Sequence, residues 1–189
     1  MAVVVVKPSL GHIDQWYTEN IALPTVDWWH RRGFTPNMLT SLGFLSSMLF
    51  AVNFHWQTAS NSFLVLLIAI RMYFDYVDGL LARKHAMTSA FGDLYDHFND
   101  WTFMLCSSYT VWSIRGMWAL WVMAGAGTLC SMQLATVEMD YGSGHEHNLA
   151  MQSVAFFNPL VRHGKVKELL RYTDTSFFYL VLVAIVLSQ

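Results

Sequence analysis

The chain has 189 residues, 54% of them hydrophobic and 13% charged, against about 45–50% and about 25% in a typical soluble domain. That imbalance excludes an ordinary soluble globular domain and points to a membrane protein. The net charge of −2, with basic residues only in small local clusters, sets nucleic acid aside as a partner.

The opening "MAVVVVKPSL" has an apolar run too short for a signal-peptide core and no basic region before it, so no cleavable signal is expected. "HIDQWYTENIALPTVDWWHRRGF" follows, mixing Trp16, Trp28 and Trp29 with charges and ending in His30, Arg31 and Arg32. Aromatic rings beside cations suit the headgroup zone, which predicts an interfacial helix within residues 1–33 on the cytoplasmic face. The alternative is a soluble leader.

Between Arg32 and Arg71 there is no Asp, Glu, Lys or Arg, a gap long enough for one spanning helix and most of another. The small and polar run "QTASNS" divides it. The pattern predicts a first span from Pro36 to Trp56, a second from Ser62 to Arg83, a third from Gly92 to Ser113 and a fourth from Gly116 to Val137. Arg31 and Arg32 precede the first, while Arg83 and Lys84 follow the second, so both of these ends are expected on the cytoplasmic side. Cys106 and Cys130 fall in apolar stretches without C-x-x-C spacing and read as free thiols.

Beyond Glu138 the pattern weakens. "MDYGSGHEHN" reads as a loop, "LAMQSVAFFNPLV" is apolar but short for a span, and "RHGKVKELLR" is a basic amphipathic piece. With the uncharged run from Thr175 to Gln189, this third contributes one span or two. The expected fold is all-α: a multi-pass membrane bundle of five or six spans over residues 34–189, preceded by the interfacial segment.

Acidic residues break the apolar pattern in one place, "DYVDGLLARKHAMTSAFGDLYDHFND". At about 100° per residue, Asp75, Asp78, Gly79, Ala82 and Arg83 fall within one arc of roughly 140°. On the next helix Gly92, Asp96 and Asp100 step by four along one stripe. Two short-linked neighbours would bring these faces together. Carboxylates gathered at a bilayer repel one another and lose hydration, a cost that hard cations such as Mg²⁺, Mn²⁺ or Ca²⁺ offset. Gly79, Ala82 and Gly92 lack bulk where a ligand would approach backbone, and Arg83 offers a fork suited to phosphate. Singly, each residue has a plainer account, as a solvated helix end, a dipole partner or a packing glycine.

The spacing D-x-x-D-G-x-x-A-R, eight residues, then G-x-x-x-D-x-x-x-D resembles the signature of the CDP-alcohol phosphotransferase family, and "TPNMLTSLGF" resembles the opening of that family's first membrane helix. The resemblance implies that Asp75, Asp78, Asp96 and Asp100 bind two divalent ions, Mg²⁺ or Mn²⁺, which clamp the pyrophosphate of a CDP-linked substrate in a cavity open to the cytoplasm. It implies that Gly79, Ala82 and Gly92 face the cytidine, that Arg83 lies near the phosphates, and that Asp100 is the general base. It further implies a CDP-linked lipid or alcohol as substrate, CMP as product, the bilayer as setting and a homodimer as one arrangement to test. CDP-diacylglycerol donating to a polar alcohol is the first reading and a CDP-aminoalcohol donating to diacylglycerol the second. An intramembrane prenyltransferase and a cation channel are the rivals from other classes.

His97 beside Asp96 reads as a tuner of a carboxylate or as incidental surface. Arg71, one turn before Asp75, reads as a partner for an acid or for a substrate phosphate. Arg162, Lys165, Lys167 and Arg171 read as receivers of an anionic acceptor or as a cytoplasmic anchor.

Overall fold

The computed structural model describes residues 11–141, 155–162 and 164–188. The expectations for the opening 1–10 and for most of the loop after Tyr141 lie outside the described residues. Those described are all-α: α1 (His12–Tyr17), a π turn (Thr18–Ala22), α2 (Leu23–Arg31), α3 (Pro36–His55), α4 (Asn61–Lys84), α5 (Ala90–Arg115), α6 (Met117–Tyr141), one 3₁₀ turn (Ala155–Phe157), α7 (Gly164–Leu170) and α8 (Thr175–Leu187).

Local chemistry accounts for the helix starts. Thr35, Ser60 and Ser89 cap α3, α4 and α5, each side chain accepting from the backbone N–H three residues on, and Pro36 supplies a preset first residue of α3. The ends share a different device. Phe34 N–H donates to Trp29 C=O at 3.2 Å, Thr58 N–H to Asn53 C=O at 3.1 Å and Met87 N–H to Ala82 C=O at 2.8 Å, so α2, α3 and α4 each close with a six-to-one bond over a left-handed residue. That residue is Gly33 in the first case, but Gln57 (φ 55°) and Ala86 (φ 53°) in the others. The π turn comes just before Pro24, which has no N–H to give to a preceding carbonyl.

α3 packs along α4 and α5, α6 lies against α5 and α8, and α8 also touches α4 and α1. Two apolar clusters result. One joins Phe50 and Phe54, Leu64 to Ile68, Phe103, Met123 and Leu182 from five helices. The other seats Ala22 and Val26, from the N-terminal segment, on Leu39, Val77, Leu80 and Leu81. α4 contributes residues 64–68 to the first and 77–81 to the second, and its charged residues Arg71 and Asp75 fall in the interval.

Trp16 and Trp28 remain exposed on the N-terminal segment while Ala22 and Val26 are buried. Among the described residues, α3 and the Met117–Thr136 part of α6 are long and apolar enough to cross a bilayer, and α7 with α8, bent by 51° at a short break, passes as one broken span. The expectation of five or six is met to that extent. α4 and α5, with 24 and 26 residues, rise about 36 Å and about 39 Å at about 1.5 Å per residue, but carry Arg71, Asp75, Asp78, Arg83 and Lys84, and Asp93, Asp96, Asp100 and Arg115.

Candidate active site

α4 runs into α5 through the short connection His85–Ser89 and both pack on α3, so the charged C-terminal half of α4 and the charged N-terminal half of α5 lie at the same end. Asp75, Asp96 and Asp100 each present a carboxylate oxygen such that all three atoms lie within 4.8 Å of one another. Separations this short put like charges together, and a cation between them would offset the repulsion.

Asp78 is not one of these three. Its Oδ2 accepts a 2.6 Å bond from Thr40 Oγ1 on α3, and the residue is only 3% exposed, although it stays within electrostatic range of Asp75 and Asp100. Thr40 is held in turn, since its backbone C=O accepts from Asn99 Nδ2 at 3.2 Å. Asn99 is fully buried. α3 is therefore tied to both acidic helices by side chains that the motif spacing did not single out; they become visible only when the helices are packed together.

The guanidinium of Arg71 faces two of the clustered acids, with Nη1 at 2.9 Å from Asp75 Oδ1 and Nη2 bonded to Asp100 Oδ1. Asp75 is nearly covered, with 15% of its side chain exposed, whereas Asp100 is 43% exposed and open to an incoming molecule. Asp96 Oδ1 is buried and has no hydrogen-bond partner among the described residues. A buried carboxylate oxygen left unpaired is costly, and a cation shared with Asp75 and Asp100 would satisfy it. The oxygen-only donor set suits Mg²⁺ or Mn²⁺ rather than Zn²⁺.

Around the acids the small residues do two things. A Cβ added to Gly79 would come within 3.1 Å of Arg83 Nη1, so the glycine is the floor on which the Arg83 guanidinium lies. At Gly92 it would meet Asn37 Oδ1 and Ser89 Oγ at 3.0 Å each, so this glycine permits close approach of α3 to the start of α5. Ala82 is half-buried on the face of α4 that carries Asp78 and Arg83. His97 turns away from the cluster: its Nδ1 lies 2.7 Å from Asp93 C=O and 3.8 Å from Asp93 Oδ1.

Arg162, Lys165 and Arg171 are exposed around α7, and Lys165 lines an open depression of about 300 Å³ with Glu168, Leu169 and Tyr172.

The comparisons bear on this arrangement directly. The chain is 38% identical over 69 residues to archaetidylinositol phosphate synthase of Pyrococcus horikoshii, a match covering 36% of this chain and 35% of that relative. No solved structure matches. The profile of one family, CDP-alcohol phosphatidyltransferase, matches residues 34–188, and with so much of its length aligned the chain belongs to that family.

Proposed function

We propose that the protein transfers a substituted phosphate group from a CDP-linked lipid, of the CDP-diacylglycerol kind, to the hydroxyl of a polar alcohol, releasing CMP. The observation that carries this reading is the convergence of Asp75, Asp96 and Asp100 from α4 and α5, with Arg83 seated over Gly79 and within electrostatic range of Asp78 and Asp96. In this reading α4 and α5 also span the bilayer, their charged halves forming a cytoplasmic cavity and their apolar halves facing lipid.

Asp75, Asp78, Asp96 and Asp100 would hold two divalent ions, which when bound neutralise the pyrophosphate oxygens and align the displacement. Arg83 donates to a phosphate oxygen from its seat over Gly79. Ala82 and Gly92 border the space for the cytidine. The acceptor oxygen forms a bond to the phosphorus bearing the lipid group, and the bond from that phosphorus to the bridging oxygen breaks. CMP leaves with that electron pair. The acceptor proton passes to the carboxylate of Asp100, whose Oδ1 is engaged by Arg71.

The relative from Pyrococcus horikoshii is named for a lipid-linked inositol phosphate product, which favours a lipid donor and a polar alcohol acceptor over the reverse arrangement. The exposed cations around α7 fit a phosphorylated acceptor. The test is to incubate the purified chain with Mg²⁺ and labelled CDP-diacylglycerol against a panel of alcohols and alcohol phosphates, and in parallel CDP-choline or CDP-ethanolamine with diacylglycerol. A metal-dependent lipid product in the first set, abolished by chelation, is the expected result. Product only in the second set would reverse the direction of transfer, and ion flux without product in either would replace the enzyme by a channel.

A further inference from the structure

Among the described residues, the one basic side chain that touches two of the clustered acids lies outside the motif. Arg71 is 1% exposed and among the largest fully buried side chains of the molecule. Its Cζ lies 5.7 Å from the ring centroid of Phe103, and on the α3 side it packs beside Gly43, where an added Cβ would sit in ordinary contact 3.5 Å from Nη1. Tyr179 of α8 is buried within electrostatic range. Four helices therefore build one slot for one guanidinium.

A packing ion pair needs a single carboxylate. Arg71 takes two, Asp75 on its own helix and Asp100 on the neighbour, while its Nε stays buried without a hydrogen-bond partner among the described residues. The fork is thus turned toward the acids, and the unpaired Nε is what that orientation costs.

We propose that Arg71 is a positioning residue that serves as a resident counter-cation: it holds Asp75 of α4 and Asp100 of α5 together before an ion enters, and competes with that ion for the same carboxylates. The proposal rests on the reading of the acidic cluster as an ion site. Its physical basis is that like charges held this close need compensation at all times, and that a fixed positive charge both supplies it and opposes a second cation. The two roles have opposite signs in a variant. Removing the guanidinium should loosen the empty site and at the same time tighten ion binding.

The experiment uses the full chain in detergent, without any CDP substrate, and follows thermal unfolding in chelator and across a titration of Mg²⁺ or Mn²⁺. Arg71→Met is expected to unfold at a lower temperature than wild type in chelator, to gain more from the metal, and to reach half its gain at a concentration about tenfold lower. Arg71→Lys, with a charge but no fork, should fall between the two. Equal losses with and without metal, leaving the metal-induced gain unchanged, would overturn the role of Arg71 alone, since a purely structural ion pair behaves that way. If Arg71→Met does not fold, Arg71→Lys decides: a half-saturating concentration below wild type supports the proposal, and an equal or higher one overturns it. No metal-induced gain in wild type would remove the ion site and this proposal with it, a result distinct from lipid product in the transfer assay.

Discussion

Asp14 and Asp174 cap each other's helices. Asp174 Oδ2 accepts from the N–H groups of Ile13 at 3.0 Å and Asp14 at 2.9 Å in the first turn of α1, while Asp14 accepts from Thr175 N–H at 3.2 Å and Ser176 N–H at 2.8 Å in the first turn of α8. Asp14 also accepts from Tyr76 Oη, the neighbour of Asp75 on α4. Both carboxylates are buried, and a Cβ on Gly11 would lie 2.4 Å from Asp174 Cβ. α1 and α8 are thereby locked to the helix that carries the first acids of the site.

Each of these caps should count heavily. Asp174→Ala removes acceptors for Ile13, Asp14 and Phe177 N–H groups and is expected to lower stability by about 2–4 kcal/mol, as is Asp14→Ala. The double variant should lose less than the sum, because the two share one network. Equilibrium unfolding in detergent measures all three, and strict additivity would mean that the caps act independently.

The acids of the cluster should separate from their neighbour. Asp100→Asn is expected to reduce transfer by about a thousandfold or more, through loss of both a ligand oxygen and the proton acceptor. Asp93→Asn should retain transfer, because Asp93 is exposed and its near partner is His97. Initial rates of lipid product check the pair, and robust turnover by Asp100→Asn would withdraw its assignment.

Gly79→Ala tests the seat of Arg83. The added methyl meets a guanidinium 3.1 Å away, the far end of a flexible side chain, so the fold should yield with little loss of melting temperature. Arg83 would be displaced from the phosphates, and we expect kcat/KM to fall about tenfold. A melting temperature that drops while kcat/KM holds would make the glycine a packing residue only.

α2 is tied to the end of α4 by Asp27, which accepts from Lys84 Nζ at 2.9 Å and meets His85 Nε2 at 3.2 Å. The Lys84 hydrogen bond, with a smaller contribution from His85, holds the Asp27 carboxyl below the usual range. Because the folded value is depressed, the tether is complete above the unfolded value of about 3.9 and is lost as pH falls through the folded one. Hydrogen exchange in the last turn of α2 should therefore differ between wild type and Asp27→Asn at neutral pH and at about pH 5, and the difference should vanish once pH falls below the depressed folded value of Asp27. Equal exchange in the two proteins at neutral pH would show that no such tether holds α2.

Much of this molecule could be read along the chain. The uncharged gap before Arg71 and the turn residues around Thr58 mark α3 and α4 to within a residue or two of their observed ends, because the hydrophobic pattern and the Thr35 and Ser60 caps are local. The face shared by Asp75, Asp78 and Arg83 follows from helical period alone. What stayed hidden was non-local. Gln57 and Ala86 close helices in a conformation that usually takes glycine, so no glycine marked the two stops. Thr40 and Asn99 acquire their roles only where α3, α4 and α5 pack, Arg71, legible along the chain as a partner for an acid one turn away, reaches Asp100 only there, and Asp14 meets Asp174 across 160 residues of chain. A repeat of charge along a helix depends on neighbours a turn away and is written in one segment, whereas which acid an arginine or threonine reaches depends on how separate segments pack, and that the tertiary structure alone decides.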